Sequence, residues 1–156
     1  GYRSFIAAAR AVMERTPHVL LAGAGAAAFA ASQGLEPVGD PAAWFTRAGR
    51  GESNHPPGGL AHGTVGCVVR DGEGRLAAAT STGGVFGKLP GRVGDTPLIG
   101  AATWADARVA VSCTGQGEYF IRAAVAAQVA HRLRWTGQDL AEATAAALAE
   151  VRALGG

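Results

Sequence analysis

The sequence is short of the residues that several common frameworks need. Two cysteines, Cys67 and Cys113, are too few for a disulfide scaffold and make no metal-ligand spacing. Both lie in apolar, strand-like runs and read as small buried hydrophobes, which suits a reducing cytoplasm. The four histidines, His18, His55, His62 and His131, show no helical or metal spacing with one another and read as structural. There is no Gly-x-Ser-x-Gly elbow and no His-Glu-x-x-His, so serine-hydrolase and zinc-protease readings have nothing to stand on. No metal and no cofactor is expected. The formal charge is only +2, and no basic run carries interleaved aromatics, so nucleic acid is not expected as a partner. The longest apolar stretch, HVLLAGAGAAAFAAS, is short for a bilayer span and rich in Gly and Ala, so no membrane is expected either. Residues 1–15 scatter Arg3, Arg10, Glu14 and Arg15 at helical spacing, which predicts a helix rather than a secretory leader.

What the chain does contain is enough for one globular domain: 156 residues, 48% of them hydrophobic, with modest charge. Phe5, Ile6, Ala9, Val12 and Met13 predict an amphipathic helix over 3–14, ended by Thr16-Pro17. HVLLA reads as a short buried strand, followed by a Gly-rich turn and an Ala-rich helix over 25–32. Residues 34–63 are rich in Gly and Pro without a sustained period, and read as a loop or linker. TVGCVV and RLAAATS, joined by RDGEG, read as a hairpin, with Asp71-Gly72 as the turn signal. A second Gly-rich stretch, 82–101, precedes a strand in RVAVSCT. GQGEYFIRAAVAAQVAHRLRW then reads as one helix, and a last helix covers about 137–152. The opening GYRSF and the closing RALGG are expected to be cut ends rather than natural ones.

Four short stretches carry candidate chemistry, and each has a plain structural alternative. Gly23-Ala24-Gly25, after an apolar run and before a helix, has the outline of a dinucleotide fingerprint or of a simple strand-to-helix turn. Thr114-Gly115-x-Gly117 opens a helix, where free amides suit a developing oxyanion or only a cap supported by Glu118. Arg92 and Asp95, three residues apart in a Gly/Pro loop, make either a surface ion pair or a grip on the two charged ends of an amino acid. The hydroxyls of TSTGG, residues 80–84, serve turn bonding or a site.

In their order and spacing, HGTVGCVVRDGEGRLAAATSTGG, KLPGRVGDTPLIGA and VAVSCTGQGE resemble the plant-type asparaginases, or isoaspartyl peptidases. These are N-terminal-nucleophile hydrolases related to aspartylglucosaminidase. VMERTPHVLLAGAGAAAFA also resembles the helix and strand late in that family's α-subunit. The resemblance implies an α/β fold, part of an αββα N-terminal-nucleophile sandwich truncated at both ends. Residues 1–63 would be the C-terminal part of the α-subunit, with a flexible linker at about 34–61. Residues 64–156 would be the N-terminal part of the β-subunit. The family's first strands, its sodium-binding loop and its last β-subunit strands have no counterpart, and Ala24 stands where the family often has an acidic residue.

The resemblance further implies self-cleavage between Gly63 and Thr64, so that Thr64 becomes an N-terminal nucleophile activated by its own amine. Gly63, lacking a side chain, lets the bond take a strained geometry. Thr82 would orient Thr64, while Thr114 and Gly115 would form the oxyanion hole. Arg92 would hold the substrate α-carboxylate and Asp95 its α-amino group, beside Gly117. The implied substrates are L-asparagine, β-aspartyl (isoaspartyl) dipeptides or both, and the implied assembly is a dimer of αβ protomers in the cytoplasm. The alternatives are a non-catalytic nucleotide-binding module built on Gly23-Ala24-Gly25, or an inactive fragment of the hydrolase.

Overall fold

A computed structural model of the protein describes residues 1–44, 62–85 and 87–156, in two compact units, Gly1–Ala61 and His62–Gly156. In the first unit the Ser4 hydroxyl accepts the Ala7 N–H at 3.1 Å and starts helix α1, Phe5–Arg15. The helix stops at Thr16, whose N–H and hydroxyl both bond the Val12 carbonyl, at 3.2 and 2.9 Å, just before Pro17. It buries Ala11 and Val12 and leaves Phe5 and Met13 exposed. Helix α2, Gly23–Ser32, follows, with Gly23 at φ +62°.

The strand expected in HVLLA does not form. Residues 18–22 pair with no strand among the described residues, and Val19 stays 79% exposed. An extended segment without a ladder partner leaves its backbone groups to water, and apolar composition alone does not supply one. The nucleotide-binding alternative counted on that strand. Gly23-Ala24-Gly25 opens α2 with no strand on either side, so the βαβ unit it needs is absent among the described residues.

Residues 34–44, expected as part of a flexible linker, carry structure. Tyr2 and Pro37 form an antiparallel bridge, the Arg3 N–H bonds the Glu36 carbonyl at 3.0 Å, and Val38 N–H bonds Gly1 at 2.8 Å. The Arg3 guanidinium pairs with Glu36 at 2.6 Å and sits 4.7 Å from the Trp44 ring at the end of α3, Pro41–Trp44. The rest of that expected linker, 45–61, lies outside the described residues.

The second unit begins with the expected hairpin. Strands β1, His62–Arg70, and β2, Leu76–Val85, pair antiparallel. Its turn differs from the two-residue form that Asp71-Gly72 suggests. The Asp71 carboxylate accepts the Glu73 and Arg75 N–H groups, each at 2.9 Å, and the left-handed residue is Gly74, at φ +82°. A second hairpin joins β3, Thr103–Ala105, to β4, Ala110–Ser112. The sequence reading missed β3, a three-residue strand just past a Gly-rich stretch.

Beyond β4 the chain forms α4, Gly117–Ala123, and α5, Val125–Trp135, where one helix was expected. Ala124 breaks them, at φ 47° and ψ 47°. The gain that holds this strained residue is visible next door: the freed N–H groups of Ala126 and Ala127 bond the Ala101 and Gly100 carbonyls at 3.1 and 2.9 Å. Helix α6, Leu140–Ala153, starts in a capping box of Asp139 and Glu142.

Val109, Phe120, Val125, Val129, Ala143, Ala147 and Val151 make one core where α4, α5 and α6 meet the second hairpin. Ala143 and Ala147 are fully buried, and their small side chains let the helices approach closely. The first hairpin packs on the second, giving sheet, sheet, helices in sequence. This is the mixed α/β architecture the sequence predicts, with two-stranded antiparallel sheets. On the outer hairpin strand β1, Val65, Val68 and Val69 are more than half exposed, and Cys67, expected buried, is exposed too.

Candidate functional site

The antiparallel register sets Thr64 directly opposite Thr82, which puts their side chains on one face of the hairpin. Between the pairs His62–Val85 and Thr64–Thr82 the ladder advances two residues on β1 and three on β2, so Gly63 faces a bulge. Gly84 carries the bulge at φ +83°, a conformation that side-chain-bearing residues avoid. The consequence is a compact bonding pattern. The Thr64 hydroxyl donates to Thr82 Oγ1 at 3.2 Å, Thr82 Oγ1 donates to the Gly63 carbonyl at 2.9 Å, and Gly84 N–H donates to Thr82 Oγ1 at 2.9 Å.

Thr64 also lines an open cavity of about 240 Å³ with Gly66, Val68, Ser112, Cys113 and Thr114. The strand end of β4 therefore brings Thr114 to the same cavity as Thr64, although the two are fifty residues apart in the chain. Ser112 belongs here too, which the sequence reading missed. Its hydroxyl bonds Thr80 Oγ1 at 2.7 Å, and Thr103 Oγ1 donates to the same Thr80 at 2.6 Å, so a hydroxyl chain ties the two hairpins together. A Cβ on Gly66 would collide with the Ser112 side chain; the glycine makes room for this crossing. The signal for it lay in the alternation of TST, which sends Thr80 and Thr82 to one face.

The second group of expected residues lies in the loop after β2 and at the start of α4. Arg92 and Asp95 do not form the surface ion pair that their spacing suggested. The Arg92 fork binds Glu118 instead, Nε to Oε1 at 2.9 Å and Nη2 to Oε2 at 3.0 Å, which raises the guanidinium pKa further. Glu118, read from sequence only as a cap, is thus the residue that fixes the plane of Arg92. Asp95 is 6% exposed, and its Oδ2 has no bonding partner. Burial pushes its pKa up, and bonds from the Asp95 and Thr96 N–H groups with the nearby Arg92 charge offset only part of that.

Gly117 lies where these two meet: a Cβ there would stand 3.1 Å from Arg92 Nη2 and 3.1 Å from Asp95 Oδ1. Gly115 is different, since a Cβ on it would strike the Phe120 ring, a packing reason for glycine. Cys113 links the two groups of residues. It lines the cavity of Thr64, and burial first, then the Asp95 charge, push its thiol up to about 12. His131 meets Trp104 edge to face and Trp135 at a tilt, with ring centroids 5.7 and 4.5 Å away. Among the described residues no group of three or more His, Cys, Asp or Glu is placed to hold a metal ion, and no helix is long and apolar enough to cross a membrane.

A family model described as Asparaginase matches residues 2–53 and 47–156, nearly the whole chain. The protein belongs to this asparaginase family. Among curated relatives, the isoaspartyl peptidase of Salmonella typhimurium is 48% identical over 97% of this chain and 53% of its own length. The isoaspartyl peptidase of Escherichia coli is 47% identical over 99% and 53%. The plant-type L-asparaginase of Pyrococcus abyssi is 40% identical over 95% and 53%. The chain spans about half the length of the curated relatives it matches.

Proposed function

We propose that the protein is an autoprocessing amidohydrolase that acts on L-asparagine, on β-aspartyl dipeptides, or on both, through Thr64. The observation that carries this reading is the bonding of Thr64, Thr82 and the Gly63 carbonyl, with Thr64 itself lining the cavity that Thr114 also lines. In the uncut chain the Thr64 nitrogen is an amide and cannot act as a base. The hydroxyl oxygen attacks the Gly63 carbonyl carbon, the C–N bond breaks, and the proton passes to the departing nitrogen. Water then hydrolyses the resulting ester to a Gly63 carboxyl group and a free Thr64 hydroxyl. Residues 1–63 become the C-terminal part of one subunit and 64–156 the N-terminal part of the other.

The freed amine has an unperturbed pKa of roughly 7.7–8.0, close to the operating pH, so it takes the proton from its own hydroxyl without a histidine. Thr64 then attacks the side-chain amide carbonyl of the substrate. Ammonia or an amino acid leaves, and water releases aspartate from the acyl-enzyme. Thr114 and Gly115 stabilise the oxyanion. Arg92, with its plane set by Glu118, takes the α-carboxylate. Asp95, whose Oδ2 lacks a partner, takes the α-ammonium beside Gly117. We place the enzyme in the cytoplasm, where the exposed Cys67 thiol stays reduced, as a dimer of two-subunit protomers.

The test is intact-mass analysis of protein expressed from the complete gene, with activity measured on asparagine and on a β-aspartyl dipeptide. Two chains split before Thr64 are expected, with Thr64→Ala whole and inert. Turnover by Thr64→Ala, or by an unbroken wild-type chain, refutes the assignment.

A further inference from the structure

We infer that Lys88 is a positioning residue for the proposed self-cleavage, acting through the Gly83–Gly84 peptide on the Thr82 hydroxyl; this rests on the reading of Thr64 given above. The Lys88 ammonium donates to the Gly83 carbonyl at 2.7 Å. The nitrogen of that same peptide unit is the Gly84 N–H that donates to Thr82 Oγ1 at 2.9 Å. A peptide unit is planar, with its C=O and N–H pointing in opposite directions. Gripping the oxygen therefore aims the hydrogen. Between two glycines a peptide plane turns easily, so an anchor matters here more than elsewhere in a strand.

The effect on Thr82 follows from counting its bonds. A hydroxyl has one donor hydrogen and two lone pairs. Both lone pairs of Thr82 are engaged, by the Thr64 hydroxyl and by Gly84 N–H, so its single hydrogen is committed to the Gly63 carbonyl. That bond polarises the carbonyl carbon which Thr64 attacks. If the Gly83–Gly84 plane turned, one lone pair would be vacated and the Thr82 hydrogen would be free to point elsewhere. A positive charge on the Gly83 oxygen also strengthens the N–H as a donor at the far side of the same peptide.

The steric fit agrees. A Cβ on Gly84 would lie 2.7 Å from Lys88 Nζ, 3.1 Å from its Cε and 3.2 Å from its Cδ, so the lysine stem crosses directly over the bulge. Lys88 is the only lysine among 156 residues, against thirteen arginines. A compact ammonium on a flexible stem suits a single carbonyl oxygen better than a planar fork does.

Pulse-labelled precursor from cell-free translation of the complete gene gives the rate of cleavage before Thr64. Lys88→Met is expected to slow that rate about tenfold or more, the scale of one lost charge-assisted hydrogen bond. Lys88→Arg, which keeps a cation, is expected to recover most of it, and propylammonium added to Lys88→Ala should accelerate cleavage in proportion to its concentration. Unfolding midpoints compared in a Thr64→Ala background, where no variant is cut, should differ little. Cleavage of Lys88→Met at the wild-type rate overturns the inference, as does equal slowing in Lys88→Arg with no response to the amine. A wild-type chain that stays whole overturns instead the reading of Thr64.

Discussion

Asp95→Asn removes a charge from a position where the fold has not compensated it, and its consequences for stability and for activity have opposite signs. The carboxylate is 6% exposed with one oxygen unpartnered, and burial is the largest influence raising its pKa above 3.8. A buried acceptor without a partner costs about 1–3 kcal/mol, and the neutral amide keeps the shape while losing the charge. Because the new amide group also lacks a full set of partners, the net stabilisation at pH 7 should be about 1 kcal/mol, or roughly 2–4 °C in a chain of this size. The pH dependence follows from linkage. In the window above 3.8 and below the raised folded value, the folded state binds more protons than the unfolded state, so wild-type stability falls as pH rises through it. The advantage of Asp95→Asn is therefore full above that window and disappears below it. Urea titrations at pH 7 and near pH 3.5, both in the Thr64→Ala background so that a single chain unfolds, measure the difference. In the cleavable protein the proposed role of Asp95 predicts that the same change raises KM about a hundredfold or more, since no anion would remain for the substrate ammonium. A variant that is less stable than its parent at pH 7 refutes the reasoning, because it would mean that the carboxylate is well paired.

Arg92→Ala should mainly raise KM, with kcat changed far less, because in the proposed reading the guanidinium binds a part of the substrate that does not react. Gly66→Ala should destabilise by about 1–3 kcal/mol, as the new methyl group displaces Ser112 from its bond to Thr80; a urea midpoint equal to wild type would contradict the crossing described. Ala124→Gly should stabilise by about 1 kcal/mol, since only glycine adopts the left-handed conformation without strain. At pH 8 iodoacetamide should label Cys67 and leave Cys113 unmodified in the folded protein, because a thiol at about 12 is almost entirely protonated there; mass mapping of the two cysteines decides.

The first hairpin was legible because three signals agree: alternation in TVGCVV and RLAAATS, a turn of Asp and Gly, and lengths typical of strands. The last helix was legible through its apolar face, which includes Ala143, Ala147 and Val151. HVLLA misled because short apolar runs look alike whether or not a partner strand exists, and pairing is a property of the whole fold. The break at Ala124 could not be read locally, since its cause is a pair of carbonyls at Gly100 and Ala101 that lie more than twenty residues away. Strand β3 is three residues long and gives no period to detect. At the site, spacing suggested that Arg92 and Asp95 work together, but the partner that orients the arginine, Glu118, sits on another element. Ser112 and Lys88 were passed over for the same reason: their partners, the Thr80 hydroxyl and the Gly83 carbonyl, are known only once the chain is folded.

The bulge opposite Gly63 sits at the very end of the first hairpin, and this has a bearing on what a severed backbone would leave behind. Only the pair His62–Val85 precedes the bond in question, while seven pairs, from Thr64–Thr82 to Arg70–Leu76, follow it. A nick at that point strips one rung and spares the rest. The new terminus stays moored in its ladder with its oxygen still against Thr82, so processing would unmask a reactive end without setting it adrift.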